Sequence, residues 1–481
     1  MPDVRSRRVA LVLVAAVLYS GTAAGQTAPP TAPADAAPAD APPSPTAAEV
    51  RELRDEVAAM RADLNDVRAA KQGPLLPAFT PRPLGYEAFW PWVVPPEGVS
   101  VNGYVQSQYE THQDSQDQLT QSGSLLNQNR FSVRRARVQL VGEWQYAAVA
   151  LELDGNTTNG PQVDLRKAEA SLQYRPDRRR PPILMATAGI FDAPFGYELV
   201  ESPRTRFFME RSQASRAFFP AEPDVGLRLA GALGFFRWTI AAVNGEPMGE
   251  SSGFGLEAPK AAPDVDFRFG FDTQPLPDLQ VAADVSSLRG KGFHPGTSAT
   301  SASIQWKDLN EDGVIESYEL VGVPGATATP SATFDHWAVG ADMRVSYQSW
   351  LGVTKIYGEF TLASNLDRGL YVADPILTGT DQRELGYYVA LVQDVTRWGV
   401  VGLRLDYYDP NFDAFDKRQG KLLPFSEAIT TYSPMAGLVL RERARLVLQY
   451  DSIHNAFART AVGVPTNLKD DIVTLRLQVQ L

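Results

Sequence analysis

Residues 99–481 form a long run of short segments in which every second residue is apolar, joined by connections that are short, then long, then short again. A β-strand with that period has one oily face and one polar face. It fits a wall with lipid on one side and water on the other. The final stretch shows the pattern plainly. Val473, Leu475, Leu477, Val479 and Leu481 fall on one face, and Thr474, Arg476, Gln478 and Gln480 on the other.

Sixteen such segments can be traced, near 99–110, 131–142, 146–154, 164–174, 183–191, 224–232, 235–244, 264–273, 278–286, 334–347, 351–363, 384–393, 399–409, 431–440, 443–453 and 471–481. The tight connections include 142–145, 349–350 and 441–442; the long ones include 111–130, 192–223, 245–263, 287–333, 364–383, 410–430 and 454–470. An even count with short turns at one end and long loops at the other predicts an all-β fold. It is a sixteen-stranded antiparallel transmembrane β-barrel, closed by pairing its first and last strands so that no edge is left. Aromatic residues near the segment ends (Tyr104, Tyr109, Trp337, Tyr347, Trp350, Tyr387, Trp398, Tyr407 and Tyr450) suit the headgroup level of a bilayer. The rival all-β reading is an exported array of β-sandwiches, whose strands need no continuous lipid-compatible face.

The N-terminal part is of another kind. Arg5, Arg7 and Arg8 precede an eleven-residue apolar core, Val9 to Tyr19, and then the small residues Ala23-Ala24-Gly25. That is the layout of a secretory signal over residues 1–25. The chain lacks cysteine, so disulfides, a lipoprotein anchor and thiolate metal sites are excluded. Residues 26–49 are rich in Ala and Pro and predict an extended linker. Over 50–70, Val50, Leu53, Val57, Met60, Leu64 and Val67 are spaced 3, 4, 3, 4, 3, the seam of a short periplasmic coiled coil. Residues 71–98 read as a second linker into the barrel. The formal charge is −11, becoming −13 once the +2 of residues 1–25 is removed, which argues against nucleic acid as a partner.

Several segments resemble the phosphate-selective porin family, the outer-membrane porin O and P group. FSVRRARVQLVG at 131–142 is similar to that family's Arg-rich second strand, and GIFDAPFGYE at 189–198 to its Gly-x-Phe-x-x-Pro-Phe-Gly-x-Glu segment. FFMERS at 207–212, Pro220 to Gly226, AAVNGE at 241–246 and FRFGF at 267–271 follow in the expected order, over roughly half the barrel. The resemblance implies a trimeric, substrate-selective channel in the outer membrane of a Gram-negative bacterium. It also implies that 192–223 is the constriction loop, and an N-terminal coiled coil occurs among its members.

The polar faces bear on selectivity. Ten basic residues, among them Arg135, Arg137, Arg344, Arg404, Arg445 and Arg476, are matched by ten acidic ones, so the wall is of mixed charge. The loop adds Arg204, Arg206, Arg211 and Arg216 within thirteen residues. Two readings follow. In one, Arg135, Arg137, Arg204, Arg206, Arg211 and Arg216 line an anion-preferring narrow zone for phosphate or other small anions. In the other, they are structural ion pairs that pin the loop to the wall. Further alternatives are a general or organic-solute porin, and a structural tether reaching peptidoglycan through the N-terminal segment.

One metal motif stands out. Asp308 to Glu319 (DLNEDGVIESYE) fits the twelve-residue calcium loop, with Asp308, Asn310, Asp312, the Val314 carbonyl, Glu316 and Glu319 as ligands and Gly313 at the tight turn. Hard Ca²⁺ takes six to eight oxygens at this spacing, and five acidic side chains in twelve residues repel one another without it. A bound Ca²⁺ would stiffen the longest loop and could bridge anionic lipopolysaccharide. The four His residues are scattered, and no HExxH, G-x-S-x-G or phosphate-binding glycine loop occurs. The expectation is a channel and not an enzyme.

Overall fold

The computed structural model describes residues 98–480 apart from 114–119, 122–123, 126–128, 159, 177–180, 246–262, 308–313, 397, 419–420, 425, 441–442, 457–466 and 468–469. The expected signal segment, coiled coil and almost all of both linkers therefore lie outside the described residues, as does the 441–442 turn.

Sixteen strands form one closed antiparallel barrel. In chain order they are β1 (Gly98–His112), β2 (Arg130–Glu143), β3 (Ala147–Asn156), β4 (Gln162–Tyr174), β5 (Leu184–Asp192), β6 (Pro223–Leu233), β7 (Phe236–Val243), β8 (Asp264–Leu276), β9 (Leu279–His294), β10 (Ala332–Ser349), β11 (Gly352–Ser364), β12 (Arg383–Asp394), β13 (Gly399–Asp409), β14 (Ile429–Leu440), β15 (Ala444–Asn455) and β16 (Ile472–Gln480). Each strand pairs with the next, and β1 closes on β16 with Tyr104 opposite Gln480 and His112 opposite Ile472.

The period-two pattern decides which way each side chain points. On β16, Leu475, Leu477 and Val479 are exposed on the outer face, whereas Thr474, Arg476 and Gln478 are buried inside. The same alternation exposes Val149, Leu151 and Leu153 on β3 and buries Ala150, Glu152 and Asp154. Putting a charge on the oily face should therefore cost far more than putting one inside. Leu475→Arg is expected to destabilise the barrel by about 2–4 kcal/mol in a bilayer, read as a fall in the urea midpoint of folding into vesicles. An unchanged midpoint would remove Leu475 from the lipid face.

Two details depart from the sequence reading. Tyr104 does not sit in an outer aromatic belt. It shares parity with the inward Gln106 and Gln108 and is buried inside the barrel. Strand β9 also runs eight residues beyond the 278–286 segment, to His294, because the backbone ladder with β10 continues through Gly290 and Gly292 after the apolar alternation has ended.

The connection between β5 and β6 folds into the barrel. It carries two short helices, α1 (Gly196–Val200) and α2 (Gln213–Phe218). Toward the long-loop end, Phe195, Leu199, Ala214, Phe218 and Phe219 pack on Leu288, Ala338, Ala363 and Tyr408 of the wall. Toward the turn end, Phe208 and Met209 pack on Tyr357, Tyr388, Ala390, Val392, Val400, Met435 and Val447. Burial of each large side chain contributes about 1.5–3 kcal/mol. The inner face of β9–β15 is thus partly an apolar seat for the loop. Small inward residues make room for it: a Cβ at Gly386 would lie 2.1 Å from the Ala214 Cβ.

Candidate functional site: an arginine-tethered loop inside the barrel

Two β-bulges set the charge on one wall. Between β1 and β2 the register passes from Gln106 opposite Arg135 to Ser107 opposite Val133, leaving Arg134 unpaired. Between β3 and β4 it passes from Glu152 opposite Lys167 to Leu153 opposite Leu165, leaving Arg166 unpaired. A bulge places two successive residues against one partner and re-aims a side chain. Strict alternation would send Arg134 and Arg166 into lipid; the bulges let both reach carboxylates of the inward loop.

Those carboxylates are Glu210 and Glu222. Glu210 is held by Arg134 at 3.0 Å, Arg135 at 2.9 Å and Arg476 at 2.7 Å, so it joins β2 to β16 across the loop. Glu222 lies at the loop's end. It meets Arg166 at 3.1 Å, Arg211 at 3.4 Å, Arg137 at 3.6 Å and Arg206 at 3.9 Å. Burial pushes both carboxyls up, but the surrounding guanidinium groups prevail and hold each well below the usual carboxylate range. Arg137 also pairs with Glu152 and Asp154, each at 3.0 Å.

Opposite this basic wall, one acid on β11 and one on β13 accept hydrogen bonds from the loop backbone. Glu359 accepts from the N–H of Tyr197 at 2.8 Å, at the start of α1, where Gly196 adopts φ +59°. A Cβ at Gly196 would lie 2.1 Å from a Glu359 carboxylate oxygen, so glycine is required there. Asp406 accepts from the N–H of Gln213 at 2.8 Å. Arg268 links the Gly196 carbonyl to Asp284 and Asp342. Within the loop, Glu198 accepts from the N–H of Ser212 at 2.6 Å and faces Arg404 at 3.4 Å.

The six arginines singled out in the sequence divide into two groups. Arg135 and Arg137 face carboxylates on the wall and loop, as above. Arg206 donates to the Glu198 and Glu201 carbonyls, and Arg211 to the Ser215, Phe219 and Pro220 carbonyls, so both also fasten the loop to itself. Arg204 and Arg216 differ. Neither has an ion pair among the described residues; Arg216 donates to the Gln213 side chain at 2.5 Å. Beside Arg204, Arg445 of β15 donates to the carbonyls of Arg204, Thr205 and Arg206 and to Gln478. Gln106 and Gln478 donate to the Pro203 and Arg204 carbonyls at 3.2 and 3.0 Å. At the turn-end tip of the loop, Arg445 of β15 is thus held by backbone carbonyls and the Gln478 amide beside Arg204, and neither arginine is ion-paired to a carboxylate among the described residues.

Sequence reading missed Arg134 and Arg166. The available signal was two adjacent basic residues, Arg134-Arg135 and Arg166-Lys167, inside strands whose neighbours alternate. In the proposed calcium loop, Asp308, Asn310 and Asp312 lie outside the described residues. Val314 is exposed, and Ser317–Glu319 forms a 3₁₀ turn. The flanks are strands, Ser303–Trp306 paired with Leu320–Val323, and not helices.

Residues 105–276 match the family model described as phosphate-selective porin O and P. No curated protein matches the chain. Among solved structures, the outer membrane channel DcaP of Acinetobacter baumannii superposes with a TM-score of 0.50 at 11% identity, covering 80% of this chain and 97% of that one. An anion-selective porin from Comamonas acidovorans gives 0.48 at 11%, covering 80% and 99%. OmpT of Vibrio cholerae in its trimer form gives 0.46 at 9%, covering 80% and 100%. At 11% identity the DcaP likeness is one of fold: a closed sixteen-stranded porin barrel.

Proposed function

From a chain that carries the phosphate-selective porin O and P signature over residues 105–276, we propose an outer-membrane channel for small hydrophilic solutes, anion-preferring at its inward loop and assembled as a trimer. Small inorganic anions, phosphate among them, are the proposed solutes. The observation that supports this most is the pair Arg204 and Arg445 at the loop tip, neither of which is ion-paired to a carboxylate among the described residues. A passing oxyanion exchanges part of its hydration for guanidinium N–H donors, whose planar fork matches its oxygens. Conduction also requires that it leave again, and two guanidinium groups in a wet lumen bind weakly enough for that.

Arg134, Arg135, Arg137, Arg166, Arg206 and Arg211 have a supporting role in this reading: they hold the loop in place through Glu210 and Glu222. Water and solute move down a gradient, and no bond is made or broken. The reversal potential of the purified protein in a planar bilayer under a potassium chloride gradient tests the proposal. It should lie on the anion side, and added phosphate should lower the chloride current. A cation-side reversal potential would sink the anion reading and leave a general porin.

The acidic loop 308–319 is proposed to bind Ca²⁺ through Asp308, Asn310, Asp312, Val314, Glu316 and Glu319, and its oxygen donor set suits that hard ion. Titration calorimetry of the full chain should give heat on adding Ca²⁺ that is lost in Asp308→Ala. Absence of heat in the unaltered protein would end this part of the proposal.

A further inference from the structure

The outer face of β9–β12 changes character toward the long-loop end. The alternation that points Val285 into lipid also turns Arg289 and Lys291 outward on β9, while Leu288 faces in. The ladder sets these residues beside those of the next strands. Arg289 lies opposite Trp337 of β10, Trp337 opposite Ser364 of β11, and Ser364 opposite Arg383 of β12. Lys291 lies opposite Asp335. The Arg383 guanidinium reaches back across β11 and stands 5.7 Å from the centre of the Trp337 ring, within cation–π range. Neither Arg289 nor Arg383 is ion-paired to a carboxylate among the described residues; the Asp335 carboxylate is held by Lys291 at 2.8 Å, with Arg289 near it. Asp381 accepts from the Asn365 amide at 2.9 Å. On the same rim, β1, β2 and β4 turn Tyr109, Phe131 and Val163 outward instead.

Two guanidinium groups and a lysine around one indole attract an anion, and the planar guanidinium fork suits phosphate. The surface below narrows the choice of anion. The next outward residues are Val339, Leu362 and Leu385, then Val285, Phe360 and Tyr387. An occupant that uses the whole surface carries phosphate at its head and hydrocarbon beneath it. Trp337 stands at the join, where an indole suits the headgroup level. The long loops of outer-membrane barrels are extracellular, so the lipid at this rim is the phosphorylated glycolipid of the outer leaflet. We infer that Arg289, Lys291 and Arg383, gathered around Trp337, bind a phosphate group of lipopolysaccharide whose acyl chains lie along β9–β12. The site is on the lipid side of the wall and is independent of what the channel conducts.

The test titrates the full chain in detergent with lipid A and with lipid A stripped of its phosphates. Each basic group at an anionic lipid surface is worth about fivefold in binding. Arg289→Gln combined with Arg383→Gln should therefore weaken lipid A binding by about 25-fold and leave binding of the stripped lipid unchanged. Bilayer conductance of this double variant should equal that of the unaltered chain, because both side chains face away from the lumen. Inorganic phosphate in large excess should not displace lipid A. A benzophenone attached at Ser287→Cys, the single thiol in a chain without cysteine, should add lipopolysaccharide to the chain when isolated outer membranes are illuminated. Equal affinity for the two lipids, or equal lipid A affinity in the double variant, overturns the inference. So does displacement by inorganic phosphate, which would make this a free-anion site. A photoproduct of twice the chain mass would place a second copy on the patch and overturn it as well. If the double variant fails to fold, the two-lipid comparison on the unaltered chain and the photoproduct decide alone.

Discussion

Glu222→Gln should release the inward loop from the barrel wall. The carboxylate stands among Arg137, Arg166, Arg206 and Arg211, two on the wall and two in the loop. Removing one partner of a buried ionic cluster leaves the others uncompensated, at a cost of about 3–5 kcal/mol, and here the four guanidinium groups also repel one another. The barrel ladder does not depend on this cluster, so the strands should persist while the loop loosens. Two readouts follow. Trypsin, which cuts after arginine, should cleave in the 204–216 stretch of the variant and spare the unaltered chain. Single-channel current should become larger and noisier. Unchanged protease resistance and conductance would show that apolar packing around Phe208 and Phe218 holds the loop by itself.

The two loop carboxylates also fix a pH dependence. Glu210 and Glu222 are held well below the usual carboxylate range in the folded protein. A depressed carboxyl contributes stability that is present above its unfolded value and is lost as pH falls through its folded value. The ion pairs of Glu210 and Glu222 should therefore be alike at pH 7 and pH 5, and should break only in acid below the ordinary carboxylate range. An infrared carboxyl signal that titrates between pH 7 and pH 5 and is lost in Glu210→Gln or Glu222→Gln would contradict this assignment.

The second large effect concerns selectivity. Arg204→Gln combined with Arg445→Gln should lower the anion-to-cation permeability ratio by at least about tenfold. A unit charge about 5 Å from a passing ion is worth about 0.8 kcal/mol at the dielectric constant of water, and one decade of ratio corresponds to about 1.4 kcal/mol. Neutralising both groups acts in opposite senses on anions and cations, and the estimate leaves room for salt screening. Arg445 also donates to the carbonyls of Arg204, Thr205 and Arg206, so its removal could act through the loop. Arg445→Lys separates the two roles. It keeps the charge and loses the planar fork. Selectivity retained in Arg445→Lys and lost in the double variant is the expected result. Equal ratios in all three proteins would remove the loop tip from the conduction path.

All sixteen strands, their direction and their closure could be read from the chain, because lipid and water impose a period of two on each segment separately. Strand ends were less legible where the polar residues of 287–294 break the alternation but the backbone ladder continues. For the site, sequence pattern supplied the arginines and not their partners. Ten basic and ten acidic inward residues suggested a balanced wet wall. The structure shows instead that many of these charges meet a loop carboxylate or a backbone N–H and are not left facing solute.

The barrel is legible strand by strand, since the pattern that turns a side chain outward or inward is local to each strand. Tertiary structure decided which charges remain unpaired. Glu210 finds Arg476 across 266 positions of chain, and Arg445 finds the Thr205 carbonyl across 240. The bulges that turn Arg134 and Arg166 inward, and the small residues that seat the loop, act through pairing between distant segments. An ion pair depends on distance in space, and period in sequence carries no record of that until the barrel has closed around its loop.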